Sequence, residues 1–303
     1  MQTIHHNIKK DNMHISYIYL SLIYAITNAL YLKYNEKVQT QGYILGIIRG
    51  FGISILTSPL LFFTKLDLTI PYIIILIFQG ILIGIYDSHI FFASAKYKSN
   101  STSGFMATSV WLTFLFWWII KPDQTQILFK EQIKFTTLII IISFITALYW
   151  KIMKVHLQIK AEIYLYPATI SLALMSILTR YIALKSSTQF DGVIYYLTIS
   201  CFVSGIYNLI KQLIYRKSHP KSKTKYKIPT LPQAIWLVFF SIILITAKTL
   251  ALRDSPNPGY VVSLLLLTPT FSEIIHNKKL TLTLDKILFL ILITLLTVLS
   301  QTN

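Results

Sequence analysis

An all-α polytopic membrane protein is the fold class this sequence predicts, with ten transmembrane helices arranged as two inverted five-helix repeats. Three observations predict it. Of the 303 residues, 54% are hydrophobic and only 13% are charged, a balance outside the range of soluble domains. Apolar runs long enough to cross a ~30 Å hydrocarbon core recur from end to end. Those runs are continuous rather than alternating, so each must satisfy its backbone groups internally, as a helix does.

The polar N-terminal tail, with His5, His6, His14, Lys9 and Lys10, reads as solvated, because no spaced set of Cys, His and carboxylate ligands accompanies it. The first apolar run, Ile15–Tyr34, is longer than a signal-peptide core and lacks a small-residue cleavage site, so it reads as a retained span. Spans two to five are predicted over Tyr43–Phe63, Ile70–Phe92, Ser101–Ile120 and Phe135–Trp150. A polar linker, Lys151–Glu162, ends the first half. Spans six to ten follow over Ile163–Leu184, Gly192–Tyr215, Pro232–Leu252, Asn257–Ile275 and Lys286–Ser300. The organisation expected is therefore one repeat over 1–150 and a second over 163–303. Because five is odd, the second unit enters the membrane inverted relative to the first, an arrangement common among secondary transporters. Short echoes join the halves: Leu32-Lys33-Tyr34 with Thr179-Arg180-Tyr181, and Ser103-Gly104 with Pro258-Gly259.

Charge and cysteine content exclude other classes. The formal charge of +17 comes from lysines in short loops, where anionic lipid headgroups rather than nucleic acid are the expected partner. A single cysteine, Cys201, rules out an intrachain disulfide or a cysteine-based metal cluster. No nucleotide-cradling GxxxxGK[ST] motif is present, nor HExxH or GxSxG, so neither ATP-driven transport by this chain nor those hydrolytic chemistries are expected. No catalytic residue, metal or cofactor is expected.

The densest stretch is Lys248–Glu273. It reads as the end of one span, a reversal at Pro256–Gly259, and a second span with an internal Pro269 between Thr268 and Thr270. Proline removes a helical hydrogen bond, and in lipid that is tolerated only where protein or a cavity satisfies the freed group. The ninth helix is accordingly expected to face the interior.

Several of these residues carry a likeness. Arg49 early in span two, Phe91-Phe92-Ala93-Ser94-Ala95-Lys96-Tyr97 followed by Ser103-Gly104, and the counterpart Leu250-Ala251-Leu252 with Asn257-Pro258-Gly259-Tyr260 and Thr268-Pro269 make the chain resemble the drug/metabolite transporter superfamily in its EamA-like branch. It departs from that pattern where Lys278-Lys279-Leu280-Thr281 stands in place of a glutamate, and in fifth and tenth spans without the usual glycines. The resemblance implies a carrier that moves a small organic metabolite, amino-acid-like or nucleotide-derivative-like, through a central cavity by alternating access.

Charged groups inside spans cost a few kcal/mol each and are functional candidates by default. Arg49 lies about 9 Å into span two at ~1.5 Å per residue, and its fork suits a carboxylate or phosphate. Asp87 and His89 sit in span three, with i,i+2 spacing that points them to different faces. Lys248, near the end of span eight, is a candidate partner for Asp87 or for a substrate anion. The resemblance places helices four and nine at the cavity, which adds Trp111, Tyr260 and Thr268 to the candidate substrate contacts. Trp117, Trp118, Trp150 and Trp236 fall near span ends, where interface-anchoring rings belong, and Glu273 reads as interfacial.

The resemblance implies both termini in the cytoplasm, whereas the loops it would place outside hold 17 of the 28 Lys and Arg against 10 inside, the reverse of the positive-inside tendency. We expect a multi-pass protein of a bacterial inner membrane, with a small-molecule substrate and membrane lipids as partners, no nucleic acid, and a homodimer as one admissible assembly. A membrane-embedded enzyme or a lipid-carrier-handling subunit is the alternative.

Overall fold

The computed structural model describes residues 2–38, 41–65, 68–97, 106–153, 159–218, 228–277 and 283–301. Within them every element is a helix: α1 (Gln2–Val38), α2 (Gly42–Thr57, continued by a 3-10 stretch to Phe63), α3 (Ile70–Tyr97), α4 (Met106–Ile120), α5 (Pro122–Lys130), α6 (Gln132–Met153), α7 (Ile159–Lys185), α8 (Gln189–Tyr195), α9 (Cys201–Ser218), α10 (Leu231–Asp254), α11 (Pro258–Leu265), α12 (Thr268–Asn277) and α13 (Leu284–Gln301). Among the described residues, eight segments are long and apolar enough to cross a membrane: Gly42–Phe63, Ile70–Ala93, Gln132–Met153, Ile163–Lys185, Gln189–Ser218, Leu231–Asp254, Pro258–Ile275 and Leu284–Gln301. The protein is thus an α-helical, multi-pass membrane protein. The first and fourth expected spans fall in α1 and α4. The 15-residue α4 rises only about 22 Å at ~1.5 Å per residue, and the expected start of span four at Ser101 lies outside the described residues.

Several boundaries have local causes. The seventh span begins three residues before the expected Gly192, because Thr188 accepts from the Asp191 amide and the Asp191 side chain caps Thr188 in return, two otherwise orphaned donors satisfied at once. At the start of α10 the Thr230 amide donates to Gln233 Oε1 at 2.9 Å. At the Pro256–Gly259 reversal, the Asn257 side chain accepts from the Gly259 amide at 2.8 Å. The ninth expected span is two helices rather than one kinked helix. Pro269 has no N–H for the carbonyl one turn back, and the chain closes instead with Leu266 N to Ser263 O and Leu267 N to Leu264 O, both 3.1 Å. Helix α5 was not anticipated, and it starts where Pro122 occupies the first helical position.

Large apolar side chains such as Ile55, Phe62, Phe144 and Ile214 face outward, while small hydroxyl residues turn inward. Thr57, Thr113, Thr146, Ser176, Ser241 and Thr249 each donate to the carbonyl four residues back, which satisfies them without water. Helix α1 packs on α10, α3 on α7, α2 on α9, α4 on α11 and α6 on α13. Helix α13 is the least buried of the membrane-length segments.

Glycines set the closest approaches. On α2, Gly42, Gly46 and Gly50 repeat every four residues. A Cβ added at Gly46 would meet Asn208 at 2.4 Å, and one at Gly50 would meet the Gly205 backbone nitrogen at 2.5 Å and the Cys201 carbonyl at 2.7 Å. On α3, a Cβ at Gly80 would meet the Ser200 carbonyl at 2.5 Å, and one at Gly84 the Tyr207 ring at 2.4 Å. Without a hydrophobic driving force between helices in lipid, such small-residue seams are what permit close packing.

Candidate functional site

The seam of α2 against α9 fixes where Arg49 points. With Gly50 against α9, the guanidinium of Arg49 turns toward α3 and forms a direct ion pair with Asp87. Asp87 is 1% exposed and the Arg49 side chain 12%. The guanidinium carbon also lies 5.7 Å from the centroid of the Tyr31 ring on α1, within cation–π range.

Beside this pair is a cavity of about 40 Å³, room for a few waters. Its wall includes Tyr24, Asn28 and Tyr31 from α1, Arg49 from α2, Asp87 from α3, Leu172 and Met175 from α7, Tyr196, and Lys248 from α10. Tyr196 opens a single turn of π-helix, Tyr196–Ser200, between α8 and α9, and π turns recur at functional sites. Lys248 is 5% exposed and has no carboxylate partner among the described residues. The Asp87 carboxylate belongs to Arg49, not to Lys248 as one of the sequence expectations had it, since α2 and α3 are direct neighbours. Four polar atoms of cavity-lining residues are buried without a hydrogen-bond partner: Arg49 Nε, Asp87 Oδ2, Asn28 Nδ2 and the Tyr31 hydroxyl.

The structure brings Arg49, Asp87 and Lys248 together and leaves the other three candidates elsewhere. Trp111 donates from Nε1 to Thr146 Oγ1 on α6 at 3.1 Å and is not in the cavity wall. Tyr260 meets Phe114 edge-on, with centroids 5.3 Å apart, where α11 crosses α4. Thr268 sits at the break between α11 and α12, its hydroxyl buried and without a hydrogen-bond partner. His89 is also outside the wall; its Nδ1 lies 2.8 Å from the Ile85 carbonyl. Glu273 is ion-paired with Lys286 at 2.5 Å.

Of the four rings expected at the interface, Trp150 and Trp236 are exposed, but Trp117 is only 5% exposed. It is covered by Arg180, whose guanidinium carbon lies 5.0 Å from the ring centroid. Arg180, which enters the sequence pattern only through the Thr179-Arg180-Tyr181 echo, is buried; a cation four residues from an expected span end is the signal for it. It donates to the carbonyls of Leu252, at 2.8 Å, and Ser255, and so satisfies the last turn of α10, where free carbonyls and the negative end of the helix dipole favour a cation. Arg180→Ala should lower stability by about 1.5–3 kcal/mol, the range for hydrogen bonds to a charged group. Arg180→Lys should recover less than half of that, because an ammonium lacks the planar fork. Thermal unfolding of the purified variants checks both; equal stability of all three proteins would remove the capping role.

No protein-family model matches the chain, and no curated protein matches it as a relative.

Proposed function

We propose that this protein is a secondary, non-ATP-driven transporter of a small organic metabolite, working by alternating access through the cavity beside Arg49, Asp87 and Lys248. The observation that carries the reading is the placement of three largely buried charged side chains at one cavity, walled by residues of α1, α2, α3, α7, the π turn and α10. Intramembrane ionisable groups mark solute or ion pathways far more often than they serve packing.

We take the spans to be ten, α1 and α4 included, in two inverted units over 1–150 and 163–303. Support comes from the helix neighbours, which map onto one another when the units are exchanged. The contact of α1 with α10 becomes that of α7 with α3, and that of α1 with α11 and α12 becomes that of α7 with α4. The contacts of α2 with α9, α4 with α11 and α6 with α13 each join an element to its own counterpart. This pattern, with the motifs around Arg49 and Asn257–Pro269, favours a divergent member of the drug/metabolite transporter superfamily in a bacterial inner membrane.

A cavity of about 40 Å³ is smaller than an amino acid or nucleotide derivative, so carriage requires a second conformation in which the units part. The test is a thermal-stability screen of the purified protein against amino acids, nucleotides and their derivatives, followed by flux of each hit into vesicles containing the protein. A ligand at 100 times its dissociation constant stabilises the folded state by about 2.7 kcal/mol, so hits are visible before any transport assay is chosen. The reading expects at least one hit that enters loaded vesicles faster than protein-free ones. Hits confined to lipids or lipid-linked compounds, with no solute flux, would transfer the assignment to a lipid-handling role.

A further inference from the structure

We infer that the cavity beside Arg49 and Lys248 is a binding site for one monovalent anionic group, either the carboxylate of an organic solute or an inorganic halide. As the charge of a transported solute this deepens the transport reading and rests on it; as a binding site it stands alone.

The argument is a count of charges and of hydrogen-bonding capacity. Arg49 and Asp87 neutralise each other. Lys248 reaches the same cavity and finds no carboxylate among the described residues. When Lys248 carries its proton the site holds one net positive charge, and a single anion restores neutrality where an uncompensated charge costs most. The hydrogen-bonding inventory points the same way. Arg49 Nε and Asn28 Nδ2 are buried donors without acceptors, and the Lys248 ammonium supplies up to three more. Against these stand Asp87 Oδ2, which only accepts, and the Tyr31 hydroxyl, which can donate or accept. An anion can therefore take the Arg49 Nε–H and the Lys248 ammonium while Asp87 keeps the terminal guanidinium nitrogen it already holds. A cation would meet two positive side chains and one free carboxylate oxygen. A free volume of about 40 Å³ suits a halide or a carboxylate head; the remainder of a larger solute has to occupy space opened by movement of the surrounding helices.

The test uses the purified full-length protein in detergent, with thermal unfolding followed at matched ionic strength in a sodium sulfate background. Sodium chloride, sodium acetate and ethylammonium sulfate are titrated separately. The inference expects a saturable rise in midpoint with chloride, acetate or both, and none with ethylammonium. Saturation by chloride alone identifies a halide site, and saturation by acetate alone a carboxylate site. Lys248→Met, which keeps the length of the side chain, should weaken the anion at least tenfold. Asp87→Asn, which removes the like charge, should tighten it by a similar factor. If either variant folds poorly, the comparison of anion with cation on the unaltered protein still decides. Stabilisation by ethylammonium, no saturable response to either anion, or unchanged affinity in a well-folded Lys248→Met overturns the anion site. Flux of a neutral solute that no anion affects would overturn this inference and leave transport standing. Saturable anion binding in a protein that moves no solute would do the opposite.

Discussion

Arg49→Met should destabilise the protein by about 3–5 kcal/mol, the cost of leaving one member of a buried ion pair without its partner. The reason is specific to the site. Asp87 is 1% exposed and one of its oxygens already lacks a hydrogen-bond partner, so removing the guanidinium takes away the carboxylate's one ion pair and leaves it buried. Asp87→Leu should do comparable damage from the other side, leaving Arg49 and Lys248 as two cations on one cavity. The double variant, Arg49→Met with Asp87→Leu, should be more stable than either single one, because replacing both charges by apolar groups of similar size removes the unpaired-ion penalty. Unfolding of the detergent-solubilised variants by titrated denaturing surfactant gives the three stabilities. Additive losses in the double variant would mean the two side chains contribute independently, and the pair would lose its place in the site.

Gly50→Ala, a change of one methyl group, should be nearly as damaging, at about 3 kcal/mol, the upper range for overpacking. The new Cβ would stand 2.5 Å from the Gly205 nitrogen and 2.7 Å from the Cys201 carbonyl, and both are backbone atoms that no rotamer change can move. Either α2 and α9 separate or the helix rotates, and rotation carries the neighbouring Arg49 away from Asp87. Gly205→Ala is the internal comparison. Its nearest contacts are Phe51 ring atoms at 3.0–3.2 Å, which can tilt, so the loss should be well under half as large. Comparable stability of the two variants would show that the seam is looser than its geometry indicates.

The fold was largely legible because bilayer thickness converts run length into helices, and ten apolar stretches each became helical where described. Part of the site was legible for the same physical reason: charge inside a span is costly, and that singled out Arg49, Asp87 and Lys248, together with His89, which lies outside the cavity wall. Their grouping was not. Positions 49, 87 and 248 are joined only by packing of α2, α3 and α10, and local composition holds no record of which helices touch. The four-residue glycine spacing on α2 and α3 was the unread signal for that packing. Trp111 and Trp117 show the converse limit, since a tryptophan near a span end or midway along one is equally consistent with lipid, core or ligand. Here one met a threonine and the other an arginine.

The π turn at Tyr196–Ser200 gives the cavity wall a property that a regular helix lacks. Such a turn is a helix carrying one surplus residue, held in place by wider hydrogen-bonded rings. Shifting that surplus one position along the chain exchanges hydrogen bonds one for one and turns the residue it passes by about 100°, the angular step of a helix with ~3.6 residues per turn. Tyr196 is at the edge of the turn and at the edge of the cavity. The direction of its ring is therefore set by where the surplus residue sits, and not by a regular helical repeat.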